Sequence, residues 1–165
     1  MSTIPAHHPL SAITSADLQQ FAHLVPPSGQ CVLRMLGVPA GLALLNGLRG
    51  AQIVVPKGPC NNPGGARTWK QMACVIGEAA MSDLARQMGG ECLEVPMLDA
   101  LRTERRNQAI RSEFDQLTAK APQGEGLSKA RAVQELSQTH VLTWRQLEVI
   151  LDRPSLAPVC QNNLF

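Results

Sequence analysis

Two segments of the chain match at a constant offset of 40 residues. LGVPAGLALLNGLRGAQIVVPKG begins at Leu36, and IGEAAMSDLARQMGGECLEVPML begins at Ile76. The matched pairs are Gly37/Gly77, Ala40/Ala80, Leu44/Leu84, Gly50/Gly90, Val55/Val95 and Pro56/Pro96, with apolar type kept at Leu36/Ile76 and Ile53/Leu93. Each unit reads as a helix, a glycine stop and a short strand closed by proline. A strand this short cannot satisfy its own backbone N–H and C=O groups. Its nearest partner is its own duplicate, so Gln52–Val55 and Cys92–Val95 are expected to pair antiparallel about a pseudo-twofold axis within one chain. The alternative is the same pairing between two chains, which makes a homodimer.

Composition bounds what surrounds this unit. The chain has 165 residues, of which 44% are hydrophobic and 17% charged, enough for one packed domain or two small ones. Aromatics are 3% and Tyr is absent, which argues against a base-stacking platform for single strands. A net charge of +2 and a pI near 8.4 permit a nucleic-acid partner without implying one. Cys31, Cys60, Cys74, Cys92 and Cys160 are scattered and form no C-x-x-C, as expected of reduced thiols in a cytosol. MSTIPAHHPL has no basic segment followed by an apolar run, and no apolar run approaches membrane-spanning length. A soluble cytoplasmic protein without a membrane partner is expected. No carboxylate pair, metal cluster or nucleophile–base spacing stands out, so neither an enzyme nor a metal or cofactor is expected. Glu94 and Asp99 read as solvated.

Along the rest of the chain, residues 1–14 read as a flexible tail with His7 and His8 exposed. Ser15 is expected to cap SADLQQFAHLV, with Leu18, Phe21 and Leu24 or Val25 on one face and Pro26 and Pro27 ending the helix. GPCNNPGGARTWKQ reads as a surface loop, with Arg67 and Lys70 solvated and Trp69 over the core edge. It lacks the Lys-Ser/Thr step of a P-loop. A helix is expected from about Leu98 to Leu117, carrying Leu101, Ile110, Phe114 and Leu117 inward. Arg102, Arg105, Arg106 and Arg111 fall on more solvated faces with Glu104 and Glu113 as available partners. APQGEG, residues 121–126, reads as a linker, and Ser128 caps a helix to about Thr139. The domains are thus a tail over 1–14, a duplicated helix-strand domain over 15–98, a helix-turn-helix domain over 99–153 and a tail over 154–165.

The stretch VQELSQTHVLTWRQLEVIL, residues 133–151, contains two amphipathic patterns with a short break. Val133 and Leu136 face inward on the first, and His140, Val141 and Leu142 form the turn, His140 filling an aromatic slot. Thr143 caps the second, whose buried stripe is Leu147, Ile150 and Leu151. This is the arrangement of a helix-turn-helix, in which the second helix enters the major groove. Arg145 could fork onto guanine and Gln146 could pair with adenine. Thr143, Trp144 and Val149 complete the candidate reading surface, although burial against the first helix is favoured for Trp144. Lys129, Arg131, Arg105, Arg106 and Arg111 are candidate phosphate contacts.

At these residues the chain resembles the Mor/C family of phage middle- and late-operon transcription activators. That family's reading motif runs like V-x-x-L-A-x-x-Y-G-L-S, against Val133, Leu136, Ser137, His140, Val141, Leu142 and Thr143 here, followed by WRQLEVIL. RRNQAIRSEF, residues 105–114, resembles the helix before the motif, and GGECLEVP, residues 89–96, resembles its glycine-glycine strand with a proline end. The resemblance covers about residues 73–151, and residues 33–58 resemble a second copy of its N-terminal unit. It implies a mainly α fold with a small two-stranded antiparallel β element and a C-terminal helix-turn-helix. It also implies double-stranded DNA as partner and a transcription regulator of phage or prophage origin, with host RNA polymerase or another regulator as open further partners. Three departures stand out. Val141 replaces the usual turn glycine, so the turn is expected to adopt a conformation that tolerates a β-branched residue. The link from Phe114 to Val133 is longer than the family's. Glu148 and Asp152 cancel Arg145 and Arg153 on the second helix. That cancellation motivates the alternative, a protein-interaction module, either an anti-activator or a phage inhibitor of a host protein, that keeps the fold without strong DNA affinity.

Overall fold

The computed structural model describes residues 12–60, 62–120 and 122–153, and among these it is mainly α-helical with one two-stranded antiparallel sheet. His7, His8, Cys160, residues 1–11 of the tail expected over 1–14 and the tail expected over 154–165 lie outside the described residues. The chain divides into two compact units, residues 12–101 and residues 102–153 of those described. Each has its own core.

In the first unit, Thr14 and not Ser15 caps α1 (Ser15–Gln20), in a reciprocal capping box with Asp17. The expected tail gives way at Ile13, which is buried and has its backbone N–H and C=O both held at 2.8 Å by the Asn46 side chain. The helix stops at Gln20 and a 3-10 turn follows over Ala22–Leu24. Leu18, Phe21 and Val25 are the buried positions, while Leu24 is only partly covered. Pro26 and Pro27 do not so much end this segment as start the next. Pro27 opens α2 (Pro27–Gly47), where a missing N–H costs nothing. By length and composition alone α2 could cross a membrane, contrary to the expectation that no run comes close. Here Val32, Leu33, Leu44 and Leu45 are buried in the core, and α1, α3 and α4 pack against the helix.

α2 leads to β1 (Gln52–Val54). The stretch read as a surface loop is largely helix: α3 runs Pro63–Ile76, with the Asn62 side chain accepting the Gly65 N–H at 2.6 Å and Pro63 in the first turn. Asn, Pro and Gly serve a helix start as readily as a loop. Burial of Trp69, Met72, Ala73 and Ile76 supplies the driving force that offsets the two glycines. The Trp69 indole donates to Glu78 Oε2 at 3.0 Å. Arg67 and Lys70 are exposed, as expected. α4 (Glu78–Met88) follows a break at Gly77, and β2 (Cys92–Glu94) follows α4.

The two units of the repeat pair as expected within one chain. Gln52 faces Glu94, Ile53 faces Leu93 and Val54 faces Cys92. The flanking hydrogen bonds obey the 40-residue offset. Gly50 N–H donates to Val95 C=O and Gly90 N–H to Val55 C=O, both at 2.8 Å. Val95 N–H donates to Ala51 C=O and Val55 N–H to Glu91 C=O, both at 2.9 Å. Exchanging each residue for its repeat mate maps each bond onto its counterpart, so the pseudo-twofold axis passes through the Ile53/Leu93 pair. Pro56 and Pro96 lack the N–H that would extend the ladder. The symmetry reaches the helices. Gly37 kinks α2 at φ 73°, and its mate Gly77 separates α3 from α4 at φ 88°. Leu44 and Leu84 are both fully buried.

Gly50 and Gly90 both have positive φ, at 70° and 93°. A Cβ on Gly50 would meet Met97, and one on Gly90 would meet Lys57, which are themselves repeat mates. We expect Gly50→Ala and Gly90→Ala each to lower stability by about 1–2 kcal/mol in urea unfolding. Gly58→Ala, where nothing lies within 4 Å of an added Cβ, should stay within about 0.5 kcal/mol of wild type.

Candidate nucleic-acid interface

The second unit is built on α5 (Asp99–Thr118), whose first turn counts with the first unit, together with α6 (Lys129–His140) and α7 (Trp144–Asp152). Ile110 of α5, Val133 and Leu136 of α6, and Leu147 and Ile150 of α7 form its core, with Phe114, Leu117, Leu142 and Leu151 packed around them. The inward residues named from spacing are in this cluster except Leu101, which is buried in the core of the first unit. Of the stretch expected to be a linker, the described residues 122–126 fold back onto α5. Gly126 N–H donates to Ala119 C=O at 2.8 Å, Leu127 N–H to Leu117 C=O at 2.8 Å and Glu125 N–H to Gln116 C=O at 3.2 Å, satisfying the helix's last carbonyls. Gly124 sits where a Cβ would lie 2.1 Å from the Gln116 carbonyl oxygen, so only glycine permits this close return.

Ser128 caps α6, its hydroxyl accepting the Arg131 N–H at 3.4 Å. At the other end His140 is the last helical residue and not part of the turn expected to hold it. Its Nε2 donates to Glu113 Oε2 at 2.7 Å, with both side chains largely buried, which ties α6 to α5. Val141 then adopts φ 52°, ψ 46° and is 89% exposed. This overturns the expectation that a β-branched residue would impose a different turn: the left-handed conformation is kept and Val141 bears its strain. The Ser137 hydroxyl donates to Leu142 C=O at 2.6 Å, and the Leu142 N–H returns to Ser137 C=O at 3.3 Å. Ser137, which spacing did not single out, is thus a lock on the turn. Its one signal is that it replaces a motif alanine.

Thr143 caps α7 in a second capping box. Its hydroxyl accepts the Gln146 N–H at 3.3 Å, while Gln146 Oε1 accepts the Thr143 N–H at 2.9 Å and its hydroxyl at 3.0 Å. Bidentate adenine recognition needs both ends of a glutamine amide. Gln146 can supply both only by releasing the cap. Trp144 is 45% exposed, correcting the expectation of burial, and its indole N–H donates to Glu148 Oε1 at 2.9 Å along the outer face. Arg145 is exposed and has no ion pair among the described residues. Val149 is 45% exposed.

The candidate phosphate contacts separate into three kinds. Lys129 and Arg131 are exposed at the start of α6, Arg131 facing Glu135 at 3.4 Å. Arg111 is largely buried, contrary to the solvated face expected for it. It pairs with Glu104, and its Nη1 donates to Ile150 C=O at 3.3 Å near the end of α7. It is a strut that satisfies a C-terminal carbonyl, and phosphate contact is not available to it without breaking that role. Arg102 is likewise buried, at 8% exposure, and Arg105 is half-buried. Arg106 lines a concavity of about 370 Å³ with Leu142, Arg145, Gln146, Val149 and Ile150. The structure therefore brings Arg106, Arg145, Gln146 and Val149 to one place and leaves Lys129, Arg131 and Arg111 out of it. No group of three His, Cys, Asp or Glu side chains among the described residues could hold a metal ion. Comparison with family models, with characterised proteins and with solved structures returns no match for this chain.

Glycine relieves the strain at Val141 but loses more entropy on folding, so the first effect is expected to win narrowly. Val141→Gly should stabilise the second unit by about 1 kcal/mol in thermal unfolding. Arg111→Met should destabilise it by about 2 kcal/mol or more, since Glu104 is left partly buried without its cation.

Proposed function

We propose that the chain is a sequence-specific DNA-binding transcription regulator of phage or prophage origin, working in the cytoplasm as a Mor-like activator. In this reading α6 braces α7, and α7 enters the major groove as the second helix of a helix-turn-helix. The observation that carries it is the division of α7. Leu147 and Ile150 are buried against α5 and α6, while Trp144, Arg145, Glu148 and Val149 are presented outward from a capped first turn. Arg145 is the side chain best placed to read, since a guanidinium fork matches guanine O6 and N7 and has no competing carboxylate among the described residues. Lys129, Arg131 and Arg106 are the phosphate contacts of this reading. Thr143 and Gln146 hold the helix start in shape.

A second reading has its own support. Among the described residues Val54, Met97, Val141, Trp144 and Val149 are the large hydrophobics left exposed, and three of these five lie on the α6–α7 pair. Arg145 and Arg153 are matched by Glu148 and Asp152. Exposed apolar side chains on and beside a neutral helix suit a protein partner, an activator's target or an antagonist's, better than a phosphate backbone.

Fluorescence anisotropy with duplex DNA at several salt concentrations separates the two. With Lys129, Arg131 and Arg106 on phosphates, log K should fall against log salt with a slope of roughly −3. Arg145→Ala should weaken binding to the preferred sequence about 10- to 100-fold. Absence of wild-type binding at low salt removes the DNA reading and leaves the interaction module.

A further inference from the structure

Arg106, like Arg111, keeps its Nε buried and unbonded, but unlike Arg111 it has no ion pair among the described residues. Its Nη2 has a 3.3 Å bond to the side chain of its neighbour Asn107. Arg111, further along α5, has Glu104. A partly buried guanidinium without an anion is costly, and such a group calls for a partner. Arg106 lines the concavity of about 370 Å³ between α5 and α7, and Arg145 lines it too. The remaining wall is Leu142, Val149, Ile150 and Gln146. Two guanidiniums are thus set against an aliphatic surface, with an amide beside them.

We propose that this concavity binds a small amphipathic monocarboxylate. The carboxylate is held by the Arg106 and Arg145 guanidiniums, whose planar forks match it, and the apolar body lies on Leu142, Val149 and Ile150. The volume lies at the lower end of the range of small-ligand sites, roughly a dozen water-sized volumes. A bare phosphate uses the cations but leaves the aliphatic wall in contact with a strongly hydrated anion. A neutral apolar molecule covers the wall but leaves Arg106 without an anion. The carboxylate with an apolar body satisfies both. The assignment goes beyond the DNA reading and does not depend on it. Where both hold, an occupied site covers Arg145 and Val149, so the ligand and the major groove exclude each other.

The probes are 4-phenylbutyrate, its neutral analogue 4-phenylbutanol and inorganic phosphate, titrated into the full chain without DNA. The readout is the methyl NMR resonances of Leu142, Val149 and Ile150. 4-Phenylbutyrate should shift these resonances with a Kd of about 1 mM or tighter. Arg145→Met, at an exposed position that leaves the core intact, should weaken that binding about tenfold. Arg106→Met should do the same or more where its spectrum shows it folded. Saturable binding of 4-phenylbutyrate, loss in Arg145→Met and little response to the other two probes support the proposal. No shift with 4-phenylbutyrate overturns it. Equal affinity for 4-phenylbutanol also overturns it, leaving an apolar patch, and equal affinity for phosphate overturns it in favour of a plain anion site. DNA binding measured separately on the same proteins distinguishes failure here from failure of the DNA reading.

Discussion

β1 and β2 have three residues each, and neither can exist alone. A strand's N–H and C=O groups project to both sides, and in isolation they would have only water to bond. Pairing one with the other closes the ladder at Gly50 and Val95 on one side and at Val55 and Gly90 on the other. Everything in the first unit follows from holding those two segments in register. The glycines permit the turn into each strand, the prolines stop the ladder, and Val55 and Val95 are buried beside it. The helices before each strand bury Leu44 and Leu84 in the same core. A chain that satisfies this pairing internally has no need of a second copy to do so.

That much was legible because a duplication makes two weak signals into one strong one. A three-residue strand has too short an alternation to be read by period alone. The recurrence of Gly50, Val55 and Pro56 as Gly90, Val95 and Pro96 located both strands and implied that they pair antiparallel. The helices were harder wherever their starts use residues that also make loops. PCNNPGGA reads as punctuation, yet Asn62 caps α3 and Pro63 takes its first turn. The helix exists because Trp69, Met72, Ala73 and Ile76 are buried by neighbours distant in sequence, which propensity does not record. The start of α2 at Pro27 was missed for the same reason: a proline pair is as good an opening as an ending.

The candidate site divides along similar lines. Caps at Ser128 and Thr143 and the inward set Val133, Leu136, Leu147 and Ile150 depend on local spacing, and they stand where spacing put them. The roles of the arginines do not depend on spacing. Arg111 and Glu104 are seven residues apart on α5, two turns along one face, but the bond that fixes Arg111's role reaches Ile150, 39 residues away. His140 and Glu113 are 27 apart. Long-range bonds of this kind turned a predicted phosphate contact into a strut and a turn histidine into a tie between helices. Val141 is instructive in the opposite sense. The turn geometry is set by Ser137, Leu142 and the packing on either side, and it prevails over the preference of the residue that occupies it.

The pseudo-twofold has a consequence for how such a chain would read DNA. Dimeric helix-turn-helix proteins carry one reading helix per half, and their operators repeat accordingly. Here the first helix-strand unit is followed directly by α3 and the second unit, and only the second is followed by α5, α6 and α7. Two halves of the β pairing therefore share one α6–α7 pair. On the DNA reading, one chain addresses one half-site. Among the described residues of α7, Arg145 is the base-reading fork without a competing bond, and Glu148 stands one turn along the same exposed face, bonded to Trp144. A single fork and a few phosphate contacts give limited affinity. Selectivity then has to come from a second element: another copy on an adjacent half-site, or a protein partner engaged by the exposed Val141, Trp144 and Val149. The same surface that weakens the case for DNA alone is the one suited to bring such a partner to it.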